Sequence, residues 1–262
     1  MSNPSDLLVA NVGLFIRSIL FFLGFVISTV IIASLVLMAF FLPLRYRYGI
    51  TKIWTRFNIW SARSICGITY AIDGAEHIPS FPVIVLSKHQ STWETLFLHQ
   101  LLPPIAWVLK RELFWVPFFG WALALVKPIA IDRKAATSAI RQILTQGKEH
   151  LDKGQWVLIF PEGTRIAPGQ RGRYRAGGAM LAAFSGYPVL PIAHNAGEFW
   201  PRRGFIKRPG QIRIVIGPLI QGQGKSAAQI NKEVEEWIEG TMKVISSAPP
   251  IDQTDGEQAE AG

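Results

Sequence analysis

His89 and Glu94 stand five positions apart in Ser87-Lys88-His89-Gln90-Ser91-Thr92-Trp93-Glu94-Thr95. The apolar, β-branched run at residues 82–86 reads as a buried strand, and residues 95–98 read as the start of a helix. A strand that hands over to a helix here puts the imidazole at the strand's end and the carboxylate roughly a helical turn later. An imidazole held by a carboxylate has a fixed tautomer and one ring nitrogen free to take a proton, so it can act as a general base. Taken alone, the same pair also suits a structural histidine and a helix-start acid favoured by the helix dipole.

The rest of the chain adds polar groups at the ends of other strand-like runs. Residues 105–109 lead into Lys110-Arg111-Glu112. Residues 156–160, stopped by Pro161, lead into Glu162-Gly163-Thr164-Arg165. Residues 189–193 lead into His194-Asn195. In α/β sheets the ligand crevice lies beyond the carboxyl ends of the strands, so these groups are expected to converge with His89. Together they supply a base–acid pair, several cations and a glycine that permits close backbone approach. Each cation singly suits a solvated surface; gathered at strand ends they suit phosphate, with Arg165 able to fork onto two oxygens.

Other chemistries lack their residues. No Gly-x-Ser-x-Gly elbow is present, and Ser91 lies on the wrong side of the turn from His89. Gly224-Lys225-Ser226 resembles the end of a phosphate-binding loop, but Leu219 stands where that loop needs glycine. Gly-x-Gly-x-x-Gly is absent as well.

Strand-like and helix-like segments alternate along the chain. Residues 70–74 read as a short strand and turn. Residues 114–125, with Pro117 and Gly120, read as a broken, buried helix. Residues 128–131 are a strand running into Asp132-Arg133, and residues 135–151 an amphipathic helix with Ile140, Ile143 and Leu144 inward. Residues 176–184 form a small-residue helix, residues 212–216 a strand, and residues 226–245 a helix with a capping box from Ser226 to Gln229. This order predicts an α/β fold with a largely parallel or mixed sheet flanked by helices.

At 262 residues the chain can hold one large domain and an appendage. It is 49% apolar, carries a formal charge of +9 and has nine tryptophans, a balance suited to anionic lipid headgroups. Nucleic acid is not expected as a partner, because there is neither zinc-ligand spacing nor a basic tail. Cys66 is the single cysteine, so no internal disulfide or metal–thiolate cluster can form. Residues 18–44 contain no charge. As one helix they would extend about 40 Å, against about 30 Å of bilayer hydrocarbon. They read as an uncleaved membrane helix or as a hairpin bent near Gly24 or Ser28. Arg45, Arg47, Lys52 and Arg56 follow, which predicts a domain on the cytoplasmic side. In residues 51–67, Ile53, Phe57 and Trp60 share a helical face beside Lys52, Arg56 and Arg63, as an interfacial helix would. The domain reading is therefore a membrane anchor and interfacial helix (1–68), a catalytic domain (69–246) and a disordered acidic tail (247–262).

His89-Gln90-Ser91-Thr92-Trp93-Glu94 resembles the histidine-four-residues-acid box of the glycerolipid acyltransferases. Lys110-Arg111-Glu112-Leu113 with Pro117 and Gly120 resembles that family's second box. Phe160-Pro161-Glu162-Gly163-Thr164-Arg165 matches its third, and Val189-Leu190-Pro191-Ile192 resembles its fourth. All four occur in family order, and the apolar N-terminus is most similar to the bacterial lysophosphatidate acyltransferases. The family usually has aspartate where this chain has Glu94; glutamate keeps the charge and adds a methylene.

The resemblance implies transfer of an acyl group from acyl-CoA or acyl carrier protein to the free hydroxyl of lysophosphatidic acid, giving phosphatidic acid. It implies His89 as base, Glu94 as its partner, and an acceptor-phosphate site at Lys110, Arg111 and Arg165, with Glu162, Gly163 and Thr164 forming the loop between. It implies no metal and no cofactor beyond the donor. The place of action it implies is the inner membrane of a bacterium, in contact with membrane lipid.

Overall fold

The computed structural model describes residues 4–132 and 135–249. Helices α1 (Pro4–Met38) and α2 (Leu44–Cys66) come first, followed by β1 (Ile68–Asp73), β2 (Ile84–Ser87), α3 (Trp93–Leu101) and β3 (Ile105–Lys110). Then come α4 (Phe119–Leu125), β4 (Ile129–Ile131), α5 (Ala136–Asp152), β5 (Trp156–Ile159) and α6 (Gly177–Ser185). β6 (Val189–His194), β7 (Gly210–Ile216) and α7 (Ala227–Ile245) complete the order. The seven strands form one sheet in the order β1-β7-β6-β2-β5-β3-β4. Only β6 and β7 pair antiparallel, so the sheet is mixed.

Alternation along each strand sorts side chains between two cores. Val85, Leu158 and Ile192 face a layer containing Trp93, Leu96 and Phe97 of α3 together with Phe21 of α1 and Ile59 and Ala62 of α2. Ile84, Leu86, Val157 and Ile159 face the other layer, built by α5, α6 and α7 through Ile143, Leu181 and Val234. The capping box expected at α7 is present: Ser226 accepts from Gln229 N, and the Gln229 side chain accepts from Ser226 N.

Of the two readings of the N-terminal segment, a single helix or a hairpin bent near Gly24 or Ser28, the structure has the single helix. α1 runs unbroken through Gly24 and Ser28. Neither residue interrupts the helix; the Ser28 hydroxyl bonds back to the Phe25 carbonyl and accepts from Asn58 Nδ2 of α2. Trp54 Nε1 of α2 likewise donates to Thr29 Oγ1. The hairpin is therefore made by α1 and α2 together, turning at residues 39–43, and the basic residues Arg45, Arg47, Lys52 and Arg56 lie on α2 itself. Residues 11–38 are long and apolar enough to cross a membrane.

Residues 114–125 are broken as expected, but they are not the buried helix expected there. A 3-10 turn (Arg111–Trp115) precedes α4, and Phe118 between them takes a left-handed φ of 59°. Gly120 is required there, since a Cβ would lie 2.4 Å from the Leu113 carbonyl oxygen. Trp115, Phe118 and Trp121 are exposed, while α4 packs on α1 and on the 3-10 turn before it. Arg133 and nearly all of the acidic tail fall outside the described residues.

Candidate active site

The four polar strand ends expected to converge belong to β6, β2, β5 and β3, which are parallel neighbours in the sheet. The register sets Leu86 opposite both Ile159 and Pro191, so three residues on, His89 emerges between Glu162 and His194. His89 is then fixed at several points. Its N–H donates to Glu162 Oε2 (2.9 Å), and its carbonyl accepts from Ile166 N (2.8 Å). Its ring lies flat on Phe160, with centroids 3.8 Å apart, and Nδ1 is 2.8 Å from Glu94 Oε1.

Glu94 sits in the first turn of α3, where negative charge is favoured. Its Oε1 also accepts from Gln90 N (3.0 Å) and Ser91 N (2.8 Å). Burial alone would raise this carboxyl, but the bond and charge of the facing His89 ring and the Ser91 N–H hold it below the ordinary carboxylate range. An ionised Glu94 accepts at Oε1, so Nδ1 of His89 donates and carries the ring proton, which makes Nε2 the basic nitrogen of the imidazole. Fully buried His194 is kept neutral by its burial; its Nδ1 accepts from Ala196 N, so Nε2 donates to the Lys88 carbonyl at 2.8 Å. That bond fixes the residue immediately before His89.

Behind the loop lies a buried ionic cluster. Lys88 Nζ donates to Glu162 Oε1 (2.6 Å) and to Glu239 Oε1 of α7 (2.8 Å), and Tyr174 OH donates to Glu239 Oε1 (2.8 Å). Burial pushes the Glu162 carboxyl up to about 7; Lys88 and the His89 N–H oppose that shift, and the Glu239 charge adds to it.

In front of His89 opens an apolar cavity of about 540 Å³, within the range of small-molecule sites. His89, Phe160, Lys110 and Arg165 line it, and α1 supplies part of its wall through Phe25, Ile32 and Val36. Of the residues expected to bind phosphate, Lys110 and Arg165 therefore share the cavity with His89, while Arg111 and Thr164 point to solvent and line neither large cavity. Glu162 faces away, into the Lys88 cluster, where its carboxylate holds the His89 backbone and is turned from any phosphate. Gly163 takes a left-handed φ of 68°, and a Cβ there would meet Arg175 Nε at 2.9 Å, so it shapes the loop.

Residues 70–195 match the family model described as Acyltransferase. The chain is 51% identical over 243 residues to the 1-acyl-sn-glycerol-3-phosphate acyltransferase of Pseudomonas aeruginosa, covering 91% of this chain and 93% of that one. The chain belongs to the acyltransferase family. It is also 31% identical to the human 1-acyl-sn-glycerol-3-phosphate acyltransferase alpha, over 64% of this chain and 61% of that one. The crystal structure of the 1-acyl-sn-glycerophosphate acyltransferase PlsC from Thermotoga maritima superposes with a TM-score of 0.74. It is 22% identical and covers 87% of this chain and 94% of that chain; at that identity the likeness is one of fold.

Several groups of this acyltransferase's site lie outside the matched segment or carry no motif. Phe25, Ile32 and Val36 of α1 looked like membrane-facing residues of an anchor, yet they wall the cavity. Glu239 reads as a solvated charge on an amphipathic helix, yet it reaches a lysine 151 positions away. Lys88 had a visible signal: a lysine directly after an apolar strand, which the sheet leaves 1% exposed.

Proposed function

We propose that the protein transfers a fatty acyl group from an acyl thioester to the sn-2 hydroxyl of lysophosphatidic acid, giving phosphatidic acid. The observation that carries this reading is the His89–Glu94 pair opening onto an apolar cavity that also presents Lys110 and Arg165. The acceptor hydroxyl gives its proton to His89 Nε2 as its oxygen attacks the thioester carbonyl. The tetrahedral intermediate then collapses, the carbon–sulfur bond breaks, and the thiolate leaves with the proton from His89. Glu94 stabilises the imidazolium formed between these steps. Arg165 and Lys110 hold the acceptor phosphate, and the apolar cavity takes an acyl chain. The donor is acyl-CoA or acyl carrier protein. The protein lies in the inner membrane with its sheet domain on the cytoplasmic side, following the basic residues that begin α2.

The test is an assay of purified full-length protein with both donors. Lysophosphatidate, glycerol 3-phosphate and lysophosphatidylcholine are offered as acceptors. Phosphatidate formation from lysophosphatidate is expected. Acylation of glycerol 3-phosphate with none of lysophosphatidate would replace the acceptor assignment, and no thioester consumption with any acceptor would end it.

A further inference from the structure

A second concavity, of about 350 Å³, shares Phe25 and Thr92 with the apolar cavity and lies between α1 and the segment that follows β6. Three cations line it: Arg202, Arg203 and Lys207. None of them, nor Arg165, has a carboxylate within ion-pair distance among the described residues, whereas Arg171, Arg213 and Lys225 do. Lys207 is only 6% exposed. Its ammonium donates to the Phe205 carbonyl (2.7 Å) and sits 5.3 Å from both the Trp200 and Phe205 ring centroids. Among the described residues the Phe205 carbonyl is the one hydrogen-bond acceptor for an ammonium with three N–H donors, and burial pulls its pKa below the ordinary value. Arg202 ties this pocket to the first, because its Nη1 donates to the Arg165 carbonyl at 2.9 Å.

The pocket is not purely ionic. Phe21, Phe22 and Phe25 of α1 form one wall, and the exposed Phe15 and Phe22 rings approach Phe205 at 5.7 and 5.8 Å. An anion that is bonded by cations on one side and lies on an apolar helix on the other is an amphiphile. Coenzyme A carries phosphates but no acyl chain beside them. We propose that Arg202, Arg203 and Lys207 form a subsite for the phosphate of a glycerophospholipid whose acyl chain lies along α1. Two lipids share that chemistry: the lysophosphatidate acceptor, held next to the Arg165 loop on its way to His89, and a resident anionic phospholipid of the membrane. The acceptor case rests on the function proposed above; binding itself does not.

Binding is read in full-length protein carrying His89→Ala, so that turnover plays no part. The protein is held in neutral detergent micelles and followed by phosphorus NMR line broadening. Lysophosphatidate, phosphatidylglycerol and coenzyme A are titrated, with phosphate-free monoacylglycerol competing. Removing two cations, as Arg203→Ala with Lys207→Met, should weaken lipid phosphate binding about tenfold or more. Arg203 is exposed and its removal leaves the packing intact, so Arg203→Ala alone should weaken it by about threefold, and Arg203→Lys should restore most of the loss. A loss for lysophosphatidate, with a raised acceptor KM and unchanged kcat in the otherwise wild-type enzyme, identifies the acceptor. A loss for phosphatidylglycerol with acceptor KM unchanged identifies the resident lipid. Unchanged lipid binding in both Arg203→Ala and the double variant, or a loss confined to coenzyme A, overturns the subsite while leaving acyl transfer standing. Failure of the wild-type protein to acylate lysophosphatidate would instead sink the function and leave the binding result intact.

Discussion

The Oε1 atom of Glu94 accepts from the His89 ring and from two backbone N–H groups, so substitutions here separate catalysis from folding. Glutamine keeps the reach of the side chain, and its carbonyl can still accept from Gln90 N and Ser91 N. It loses the charge that supports an imidazolium. Glu94→Gln is therefore expected to unfold near the wild-type temperature with kcat lowered about a hundredfold or more. Aspartate keeps the charge and retreats by a methylene, so Glu94→Asp should retain more activity and lose stability, by roughly 1 kcal/mol for a weakened buried bond. Thermal melts and kcat on the two proteins check this; glutamine as the milder change in kcat would remove the electrostatic role. His89→Ala should lower acyl transfer by about 100- to 10,000-fold while the protein stays folded. Activity within a few-fold of wild type would remove His89 from the chemistry. This pair was legible in the sequence because its geometry is local. The Glu162 contacts were not, since they join positions 74 apart along the chain, and a motif does not say which way a side chain turns.

At the scale of elements, α7 reaches the His89 loop through Lys88. Glu239, Lys88, Glu162 and the His89 N–H form one chain of bonds from a C-terminal helix to the histidine. Two carboxylates share one ammonium, and Glu162 is pushed up to about 7 from an ordinary 4.5. Its folded value is raised, so the folded state holds a proton that the unfolded chain releases between these two values. The contribution of this group to stability is greatest below about 4.5 and declines as pH rises to about 7. Glu239→Gln keeps the acceptor oxygen for Lys88 and Tyr174 but removes a like charge, which lowers the Glu162 value. The variant should lose less stability than wild type between pH 5 and pH 8, by thermal melts across that range. A wild-type slope retained in the variant would mean that Glu239 does not set the Glu162 titration. Helix α7 itself was legible from its amphipathic period and capping box. Its role was not, because the antiparallel turn from β6 to β7 that brings it back beside β6 depends on sheet order, which periodicity does not encode.

At the scale of the whole molecule, α1 is both a membrane element and a wall of the site. Phe21 is buried in the sheet core and Phe25, Ile32 and Val36 line the cavity, while Leu20, Ile27 and Ile31 stay exposed. The apolar run gave α1 away; the stripe that faces the domain is chemically the same as the stripe that faces lipid, so composition could not divide them. Removing residues 1–44 should therefore do more than detach the domain. It strips Phe21 from the core, at a cost of about 3–5 kcal/mol for a buried aromatic alone, and opens the cavity to water. The truncated protein should be inactive and unstable by thermal melt, and a well-folded, active truncation would show that α1 only anchors. The outward surface gives the complementary test. α1 packs against both α2 and α4, and these helices and the turn before α4 expose Ile53, Phe57, Trp60, Trp115 and Trp121. Aromatic and aliphatic groups placed this way, beside the exposed Arg56 and Arg63 of α2, suit the headgroup interface. None of the three tryptophans Trp60, Trp115 and Trp121 lines the cavity. Replacing all three by serine should thus leave kcat in detergent micelles within about twofold while weakening attachment to lipid vesicles. The remaining attachment should become more sensitive to salt, since the basic residues of α2 then carry a larger share of it. Flotation of the triple variant with anionic vesicles at low and high salt measures both effects. Unchanged, salt-resistant flotation would mean that α1 alone fixes the protein in the bilayer and that α2 and α4 stand clear of it.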